Sequence, residues 1–345
     1  MKVHQFSAGF NQGDAISNLM VFYKNKFANQ KIACELYSQN IGYNKGKICK
    51  KYSTYNYSKD DIIIYHHSIH SKVLDFIKSI DKNCKKILLY HNVTPSEYIE
   101  PYDLTLSYYL KKGREELKEI NNYFSINLAV SEFNKKELDN LGISNVNVVP
   151  INLDLTNYSK QTIEKDKCFT ILFVGRIAPN KKQCDLIKIC SILNNYNFPF
   201  KLILAGKTAP ELATYKHEID NLIKYFNLFD RIQFLEFIDQ NKLAELYSSA
   251  DLFLCMSEHE GFCVPLIEAM YYNIPIVAYN SSAISETLGN GGFLVNEKRF
   301  DYIAELIFKI YSSEKLKSNM KKSAEKRFGE INSIDNFQKL LSFIN

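Results

Sequence analysis

Short apolar runs alternate with longer amphipathic segments along the whole chain, and this alternation constrains the fold most. The apolar runs are Val3–Phe6, Ile32–Leu36, Ile62–Tyr65, Lys86–Tyr90, Leu128–Val130 and Val146–Val149 in the first half, and Phe169–Val174, Lys201–Ala205, Ile232–Leu235, Leu252–Met256, Ile274–Ala278 and Gly292–Leu294 in the second. Segments such as Ala15–Phe27 and Cys184–Leu193 lie between them with helical periodicity. Strands that alternate with helices favour parallel sheets with helical crossovers. Because 345 residues exceed one ordinary core, the sequence predicts two α/β domains.

The polar stretch Pro150–Lys167 has no apolar periodicity and predicts the boundary between the two domains. A charged, helix-prone tail follows from Glu314. Doubly wound sheets bind ligands beyond the carboxyl ends of their strands. We therefore expect a cleft between the two sheets, with the functional residues on loops that follow strands.

The net charge of +5 comes entirely from the chain up to Lys165, where 22 basic residues accompany 17 acidic ones. A basic N-terminal half suits an anionic partner such as a lipid pyrophosphate, a membrane surface or a nucleic acid. A surplus of solvated lysines explains the same count equally well.

The cysteine pattern and the N-terminus indicate the compartment. The eight cysteines form no Cys-x-x-Cys pair, and several lie in apolar runs, which is typical of buried free thiols in a reducing compartment. The first residues lack the apolar stretch of a signal peptide, and no run has the length of a membrane span. These features predict a cytoplasmic protein.

The segment EHEGFCVPLIEAM carries the strongest functional signal. It joins an apolar strand to a helix, with Gly261 in the loop and Pro265 in the first helical turn. The start of such a helix favours anions. Glu260 is positioned to accept hydrogen bonds from sugar hydroxyls, and Glu268, two turns further on, from a ribose. Two glutamates at this spacing alone would be weak evidence, because incidental glutamates are common on solvated helices.

A second motif, GRIAPNK, directly follows the apolar run Phe169–Val174. After Gly175, the cations Arg176 and Lys181 flank a short turn and predict a diphosphate-binding pair. A surface lysine before a helix is the plain alternative. The chain has no Asp-x-Asp triplet of the kind that holds a donor diphosphate through a divalent metal. We therefore expect no metal.

Two N-terminal features are more ambiguous. Gly13 and Asp14 form a loop in which Asp14 is predicted to cap a helix, and the loop does not match the dinucleotide fingerprint. His91 follows a predicted strand and suits contact with a sugar hydroxyl, although a lone histidine is often structural. The group His66, His67 and His70 is better explained structurally, since no carboxylate or thiol completes a zinc site by spacing.

Taken together, these motifs identify a resemblance that covers nearly the whole chain. It resembles the retaining glycosyltransferases of family 4, which have the GT-B fold of two Rossmann-like domains facing each other across a deep cleft. The segments that carry the resemblance are KVHQFSAGFNQGDAISN, LLYHNVTP, LAVSEFNKKEL, FVGRIAPNKK, LILAG, ADLFLCMSEHEGFCVPLIEAM and IPIVAYNSSAISE. The N-terminal segments are similar to those of bacterial members that act in surface polysaccharide assembly.

The resemblance implies roles for individual residues. Arg176 and Lys181 match the diphosphate-binding pair, Glu260 the carboxylate near the donor sugar and Glu268 the carboxylate near the ribose. His91 matches a histidine that contacts the donor sugar. The further donor-binding positions are Gly13, Gly175, Gly261, Phe262, Cys263 and Val264. His259 stands where the family commonly has Gly or Ser, and Cys263 stands where a small or polar residue is more usual, so both positions bear on sugar selectivity.

The resemblance also implies the activity and its setting. Residues 1–155 would bind the acceptor, residues 166–325 would bind the donor, and residues 326–345 would form a helix that packs on the N-terminal domain. The expected reaction moves a hexose-type sugar, with retention and without metal or cofactor, from a UDP- or GDP-sugar to a glycan or lipid-linked acceptor in O-antigen, capsule or other surface polysaccharide synthesis. We expect a cytoplasmic enzyme that contacts the anionic inner membrane face through its basic half and binds no nucleic acid. A GT-B nucleotide-sugar epimerase or hydrolase and a non-catalytic sugar-nucleotide-binding module remain the alternatives.

Overall fold

The computed structural model describes residues 2–42, 46–154, 158–163, 168–236 and 238–344, which form two compact units. The N-terminal unit comprises Met1–Glu100, Leu104–Asn152 and Asp335–Asn345. The C-terminal unit comprises Pro101–Asp103 and Leu153–Ile334. The domain limits at residues 155, 166 and 345 that the sequence predicts lie outside the described residues.

The N-terminal unit contains a seven-stranded parallel sheet in the order β3-β2-β1-β4-β5-β6-β7. Its strands are β1 Lys2–Phe10, β2 Ala33–Ile41, β3 Cys49–Lys51, β4 Asp61–His67, β5 Lys85–Tyr90, β6 Ile126–Ala129 and β7 Val146–Val148. All seven residues of β4 are buried, as expected for a central parallel strand covered on both faces. The sequence predicts six of these strands; β3, the short edge strand CKK, has no apolar pattern that would predict it.

The C-terminal unit contains a six-stranded parallel sheet in the order β10-β9-β8-β11-β12-β13. Its strands are β8 Phe169–Val174, β9 Phe200–Ala205, β10 Ile232–Leu235, β11 Leu252–Cys255, β12 Ile276–Tyr279 and β13 Phe293–Val295. Chain order reverses between β8 and β11, which pair through Leu252 with Ile171 and Phe253 with Leu172. Such a switch point is where open α/β sheets bind ligands. The loops that follow β8 and β11 therefore mark the candidate site.

The described residues contain thirteen α-helices, of which the last three follow the final strand. They are α1 Ala15–Asn29, α2 Lys72–Ser79, α3 Leu104–Glu115, α4 Leu117–Ile120, α5 Glu132–Asn140, α6 Gln183–Asn195, α7 Ala213–Tyr225, α8 Gln240–Ser249, α9 Val264–Tyr271, α10 Ile284–Leu288, α11 Phe300–Ser312, α12 Glu314–Asn332 and α13 Asn336–Ile344. Helix α13 belongs to the N-terminal unit, where Phe337 packs on Phe27 with ring centroids 5.1 Å apart and Lys85 Nζ donates to Ile344 O over 2.8 Å. The α/β fold class with two Rossmann-like sheets is confirmed.

No helix among the described residues is both long and apolar enough to cross a membrane. The candidates for membrane contact in the basic half are Lys45–Lys51, Lys85, Lys86 and Lys111–Arg114, and several of them have hydrogen-bond partners within the fold. Lys86 is buried and its Nζ donates to Ile80 O over 2.7 Å, while Arg114 donates to Val93 O over 2.6 Å and pairs with Glu137. Lys45 lies outside the described residues.

Candidate active site

The loop after β8 begins at Gly175, whose carbonyl is closely approached by Gly206 at the end of β9. Gly175 and Gly206, at the ends of adjacent strands β8 and β9, both have φ of +154°. A Cβ atom on Gly206 would lie 2.0 Å from the carbonyl oxygen of Gly175, so no side chain fits there. The tight junction fixes the point at which Arg176 leaves the sheet.

Arg176 is exposed, and its guanidinium has no hydrogen bond or ion pair with any residue that the structure describes. Only its backbone is held, because Gln183 Nε2 donates to the Arg176 carbonyl over 2.9 Å. An unpaired, exposed guanidinium at a sheet switch point can bind an anion without first breaking an existing pair.

Asn180 joins the loop after β8 to the loop after β11. The Asn180 carbonyl accepts from the Glu258 N–H over 2.8 Å, and its side-chain Nδ2 donates to the His259 carbonyl over 3.0 Å. Asn180 is itself buried. The sequence motif places this residue in a turn but gives no sign of its partners, because they lie on a distant segment.

Lys181 and Glu260, the predicted cation and the predicted sugar-facing carboxylate, form a direct ion pair. Lys181 Nζ lies 2.6 Å from Glu260 Oε2, and their side chains are 18% and 9% exposed. The Glu260 backbone is anchored as well, since its N–H donates to Ser282 Oγ over 2.8 Å. The pair neutralises both charges in a poorly solvated position, where neither would be stable alone.

Glu268 lies on α9, is buried, and is held by two tyrosines rather than by a cation. Tyr158 Oη donates to Oε1 and Tyr247 Oη donates to Oε2, each over 2.6 Å. Burial raises the pKa of Glu268, and the two tyrosine hydrogen bonds oppose that rise because they stabilise the carboxylate. The motif predicts Glu268 but not the two tyrosines, which come from separate segments.

The backbone positions Gly261, Phe262, Cys263 and Val264 form the turn that leads into α9. The Phe262 carbonyl accepts a hydrogen bond from Thr287 Oγ1, and Cys263 adopts a left-handed conformation with φ of +68°. Such a conformation is unusual for a residue other than glycine. Helix α9 starts at Val264 with Pro265 in its first turn, as the sequence predicts.

In the N-terminal unit, His91 is the end of a buried hydrogen-bonded chain that starts at Gln5. Gln5 Nε2 donates to the Met20 carbonyl over 3.0 Å, which turns Gln5 Oε1 towards His66 Nε2 at 3.0 Å. His66 Nε2 must therefore carry the proton, so His66 Nδ1 accepts from His91 Nε2 at 2.8 Å.

This chain assigns the tautomer of His91, whose Nδ1 is left as an acceptor. Burial lowers the pKa of His66 to about 3 and that of His91 well below its ordinary value, so both rings are neutral at physiological pH. Neutral His91 can accept a hydrogen bond from a sugar hydroxyl.

Of the remaining N-terminal candidates, two histidines and Asp14 have partners within the fold, whereas Gly13 lies in open space. His67 contacts the Gly113 carbonyl at 2.9 Å, and His70 contacts Glu116 at 2.5 Å, so the histidine group does not converge on a metal site. Asp14 caps α1 as predicted, accepting from the Ser17 N–H over 2.9 Å. Gly13 has φ of +77°, and no described atom lies within 4 Å of the position that a Cβ would occupy, which leaves its loop open to a ligand.

Comparisons with known proteins find similarity to glycosyltransferases. A family model described as "Glycosyl transferases group 1" matches residues 154–327. The O-antigen chain mannosyltransferase RfbU of Salmonella typhimurium is 25% identical over 207 residues, which cover 60% of this chain and 55% of that protein. The chain spans about half the length of the curated relatives it matches.

Solved structures resemble the fold over its full length. Alr3699/HepE of Anabaena, crystallised in complex with UDP, superimposes with a TM-score of 0.75 at 17% identity and 99% coverage of both chains. WaaG, described as a glycosyltransferase involved in lipopolysaccharide biosynthesis, superimposes with a TM-score of 0.74 at 11% identity, again with 99% coverage of both. At these identities the structures establish the GT-B fold.

Proposed function

Because the chain belongs to the glycosyl transferase group 1 family, we propose that it is a retaining glycosyltransferase that moves a hexose-type sugar from a nucleotide-diphospho-sugar to a glycan or lipid-linked acceptor. The observation that carries the proposal is the arrangement at the β8/β11 switch point: an unpaired Arg176 beside a motif in which Lys181 is held by Glu260. Lys181, which a carboxylate holds in the free enzyme, is positioned to exchange that carboxylate for a diphosphate.

In the proposed mechanism, Arg176 and Lys181 bind the donor diphosphate and stabilise the negative charge that grows on it as the glycosidic bond breaks. Two protein cations supply this stabilisation directly, so the reaction needs no metal ion. When Lys181 turns to the diphosphate, Glu260 loses its partner and accepts hydrogen bonds from hydroxyls of the donor sugar. The leaving phosphate oxygen takes the proton of the acceptor hydroxyl, so no separate base is required.

Glu268 and His91 position the rest of the donor in this proposal. Glu268 would accept hydrogen bonds from the ribose, in an orientation set by its tyrosine partners. His91, neutral and with Nδ1 as an acceptor, would bind a hydroxyl of the sugar. Neither residue needs to change its protonation state during transfer.

The relatives suggest the class of donor and acceptor. Alr3699/HepE was crystallised with UDP and glucose, and RfbU is named as an O-antigen mannosyltransferase. We therefore propose a UDP- or GDP-hexose donor and an acceptor in the synthesis of O-antigen, capsule or a related surface polysaccharide.

A panel of nucleotide sugars in a thermal-shift assay identifies the donor, since a ligand of the native state raises the melting temperature. Arg176→Ala should then lower kcat/KM by about 10²–10³, the cost of losing one preorganised charge contact. Arg299→Ala removes another exposed arginine of the same unit and should leave turnover unchanged. Unchanged turnover in Arg176→Ala would refute the assignment of this residue.

The acceptor requirement separates transfer from the competing activities. A transferase releases nucleoside diphosphate rapidly only after the acceptor is added. An epimerase interconverts the donor sugar without any acceptor, a hydrolase releases the diphosphate without one, and a binding module does neither.

We also propose that the enzyme works at the inner face of the cell membrane, with α3 of the N-terminal unit near anionic lipid. Lys111 and Lys112 lie on this helix beside the exposed Tyr108 and Tyr109. Replacing both lysines by glutamate should reduce co-sedimentation with anionic liposomes at low salt. The matched double substitution of Lys321 and Lys322 on α12 should not, and equal binding by both variants would exclude α3 as the contact.

A further inference from the structure

Three potential metal ligands converge at the end of β11, and two of them also belong to the proposed donor site. Cys255 is the last residue of the strand, Glu260 lies in the loop, and Cys263 precedes α9. One ligand atom from each lies within 4.8 Å of those from the other two, and all three residues are buried. Within the part of the chain that the structure describes, this is the one such group of histidine, cysteine and acidic side chains.

The backbone brings the two cysteines together. Seven residues separate them in the sequence, which does not match the short spacings of common zinc motifs. Cys263 nevertheless reaches Cys255 because it adopts a left-handed conformation with φ of 68° and ψ of 62° immediately before the helix. The sulfur atoms of Cys255 and Cys263 then lie within 4.8 Å of each other.

The separations suit a tetrahedral thiolate site after a small contraction. Zinc lies about 2.3 Å from thiolate sulfur and about 2.0–2.2 Å from carboxylate oxygen, so neighbouring ligands are separated by roughly 3.5–3.8 Å. Ligand atoms already within 4.8 Å need to approach by about 1 Å or less. Two sulfur ligands select zinc and similar soft cations over magnesium or calcium.

Charge balance also favours a divalent cation. Two thiolates and one carboxylate carry three negative charges, and binding of a divalent ion leaves one net negative charge. Lys181, with Nζ 2.6 Å from Glu260 Oε2, supplies the remaining positive charge. Binding would release the two thiol protons to solvent and leave the cluster neutral, which a buried position requires.

We propose that Cys255, Glu260 and Cys263 form a binding site for Zn²⁺ or a similar soft divalent cation, and that the bound ion inhibits sugar transfer. Inhibition, which rests on the proposed function, follows because the ion holds Glu260 and keeps Lys181 beside it, so neither residue is free for the donor. The ion is therefore an inhibitor and not a cofactor of the reaction.

Co²⁺ provides a spectroscopic test that needs no substrate. The full chain, reduced, freed of metal with a chelator and kept anaerobic, is titrated with Co²⁺ and then with Zn²⁺. We expect one equivalent of Co²⁺ to produce thiolate-to-cobalt charge-transfer absorption, and Zn²⁺ to displace it. Wild-type protein that develops no such absorption would overturn the proposal.

Serine substitutions assign the ligands. Cys255→Ser should weaken Zn²⁺ binding by at least about 100-fold, more than the loss of an outer-shell partner. Cys190→Ser is the matched control, because Cys190 is equally buried in the same core and lies outside the cluster. Thermal melts of both variants establish that they fold. Zn²⁺ affinity that is equal in wild type and Cys255→Ser would overturn the site.

The activity arm is separate from the binding arm. Once a donor and acceptor are identified, Zn²⁺ should inhibit wild type and Cys190→Ser, a chelator should restore activity, and Cys255→Ser should resist Zn²⁺. Zn²⁺ that binds without inhibiting would refute the inhibitory role. If no sugar is transferred by any protein, the proposed function fails while the cobalt titration still decides whether the metal site exists.

Discussion

Tyr247→Phe isolates one hydrogen bond at the buried carboxylate of Glu268. The substitution removes only the hydroxyl, and the ring keeps its stacking on Tyr272, with centroids 5.2 Å apart and planes 8° from parallel. Glu268 Oε2 then loses its donor at 2.6 Å in a position shielded from water. A hydrogen bond to a charged group contributes about 1.5–3 kcal/mol, so we expect a loss of about 2 kcal/mol in the free energy of unfolding.

The cost should depend on pH because only the carboxylate needs the donor. Burial raises the pKa of Glu268 in the folded state above its ordinary value of 4.5. The contribution of this group to stability is therefore fully present at pH values below 4.5 and disappears as the pH rises through the folded-state pKa. Removing Tyr247 Oη takes away a hydrogen bond that lowers the pKa of Glu268, so the folded-state pKa of Glu268 rises further in the variant. The destabilisation should therefore be larger at about pH 8 than at about pH 5.

Tyr215→Phe is the matched control. Tyr215 is as buried as Tyr247 and lies in the same unit, but its hydroxyl donates to a neutral amide oxygen, Gln183 Oε1, over 3.2 Å. Its loss should cost about 0.5–1.5 kcal/mol, with little change between the two pH values.

Thermal or urea unfolding at both pH values measures the difference. For a unit of this size a loss of 2 kcal/mol lowers the melting temperature by roughly 4–8 °C. If Tyr247→Phe is no more destabilising than Tyr215→Phe and its cost does not change with pH, Glu268 is not an ionised group held by tyrosine. Once the donor is known, Tyr247→Phe should also raise the KM for the donor several-fold at unchanged kcat, since Tyr247 acts only by positioning Glu268.

Three further predictions test other parts of the molecule. Gly206→Ala should cost more than about 2 kcal/mol because its Cβ would meet a carbonyl oxygen at 2.0 Å, whereas Gly329→Ala in α12, with open space around it, should be neutral or stabilising in the same unfolding assay; equal effects would contradict the close approach. The pH profile of kcat/KM should show no titration near about 6.5, because burial holds the pKa of His91 well below that value; a clear inflection there would mean that His91 is solvated. Glu260→Gln should bind nucleoside diphosphate more tightly, by calorimetry, because it frees Lys181, while its preference for the nucleotide sugar should fall; unchanged affinities for both would show that the ion pair does not govern donor binding.

The sequence predicts the sheets because parallel strands covered on both faces are nearly continuous apolar runs. Strand β4, with all seven residues buried, and strand β11 are of this kind. The same rule misses β3, whose three residues pair only at the edge of the sheet. The pattern of apolar residues therefore identifies the central strands, but it does not identify a short edge strand that is stabilised only by pairing with its neighbour.

The candidate residues were predictable, but their partners were not. Lys181 and Glu260 are far apart in the sequence, and they meet because β8 lies beside β11, an order that periodicity does not reveal. Tyr158, which precedes β8, and Tyr247, which lies on α8, reach Glu268 from two segments whose meeting periodicity does not reveal either. Spacing suggests which side chains carry chemistry, whereas their charge state and pairing depend on strand order.

The pairing changes how the two predicted cations should be regarded. Among the described residues Arg176 is exposed and unpaired, while Lys181 is paired with Glu260, so of these two cations only Arg176 is available to an anion until Lys181 leaves its partner. A diphosphate attracts both cations, and taking Lys181 leaves Glu260 as a poorly solvated carboxylate that needs new donors. A nucleotide sugar meets that need with the hydroxyls of its transferred sugar, whereas the ribose hydroxyls of a nucleoside diphosphate are assigned to Glu268 in the proposed site. In the proposed reaction the ion pair thus favours a nucleotide sugar over the bare nucleoside diphosphate, and this preference would let the nucleoside diphosphate leave after transfer.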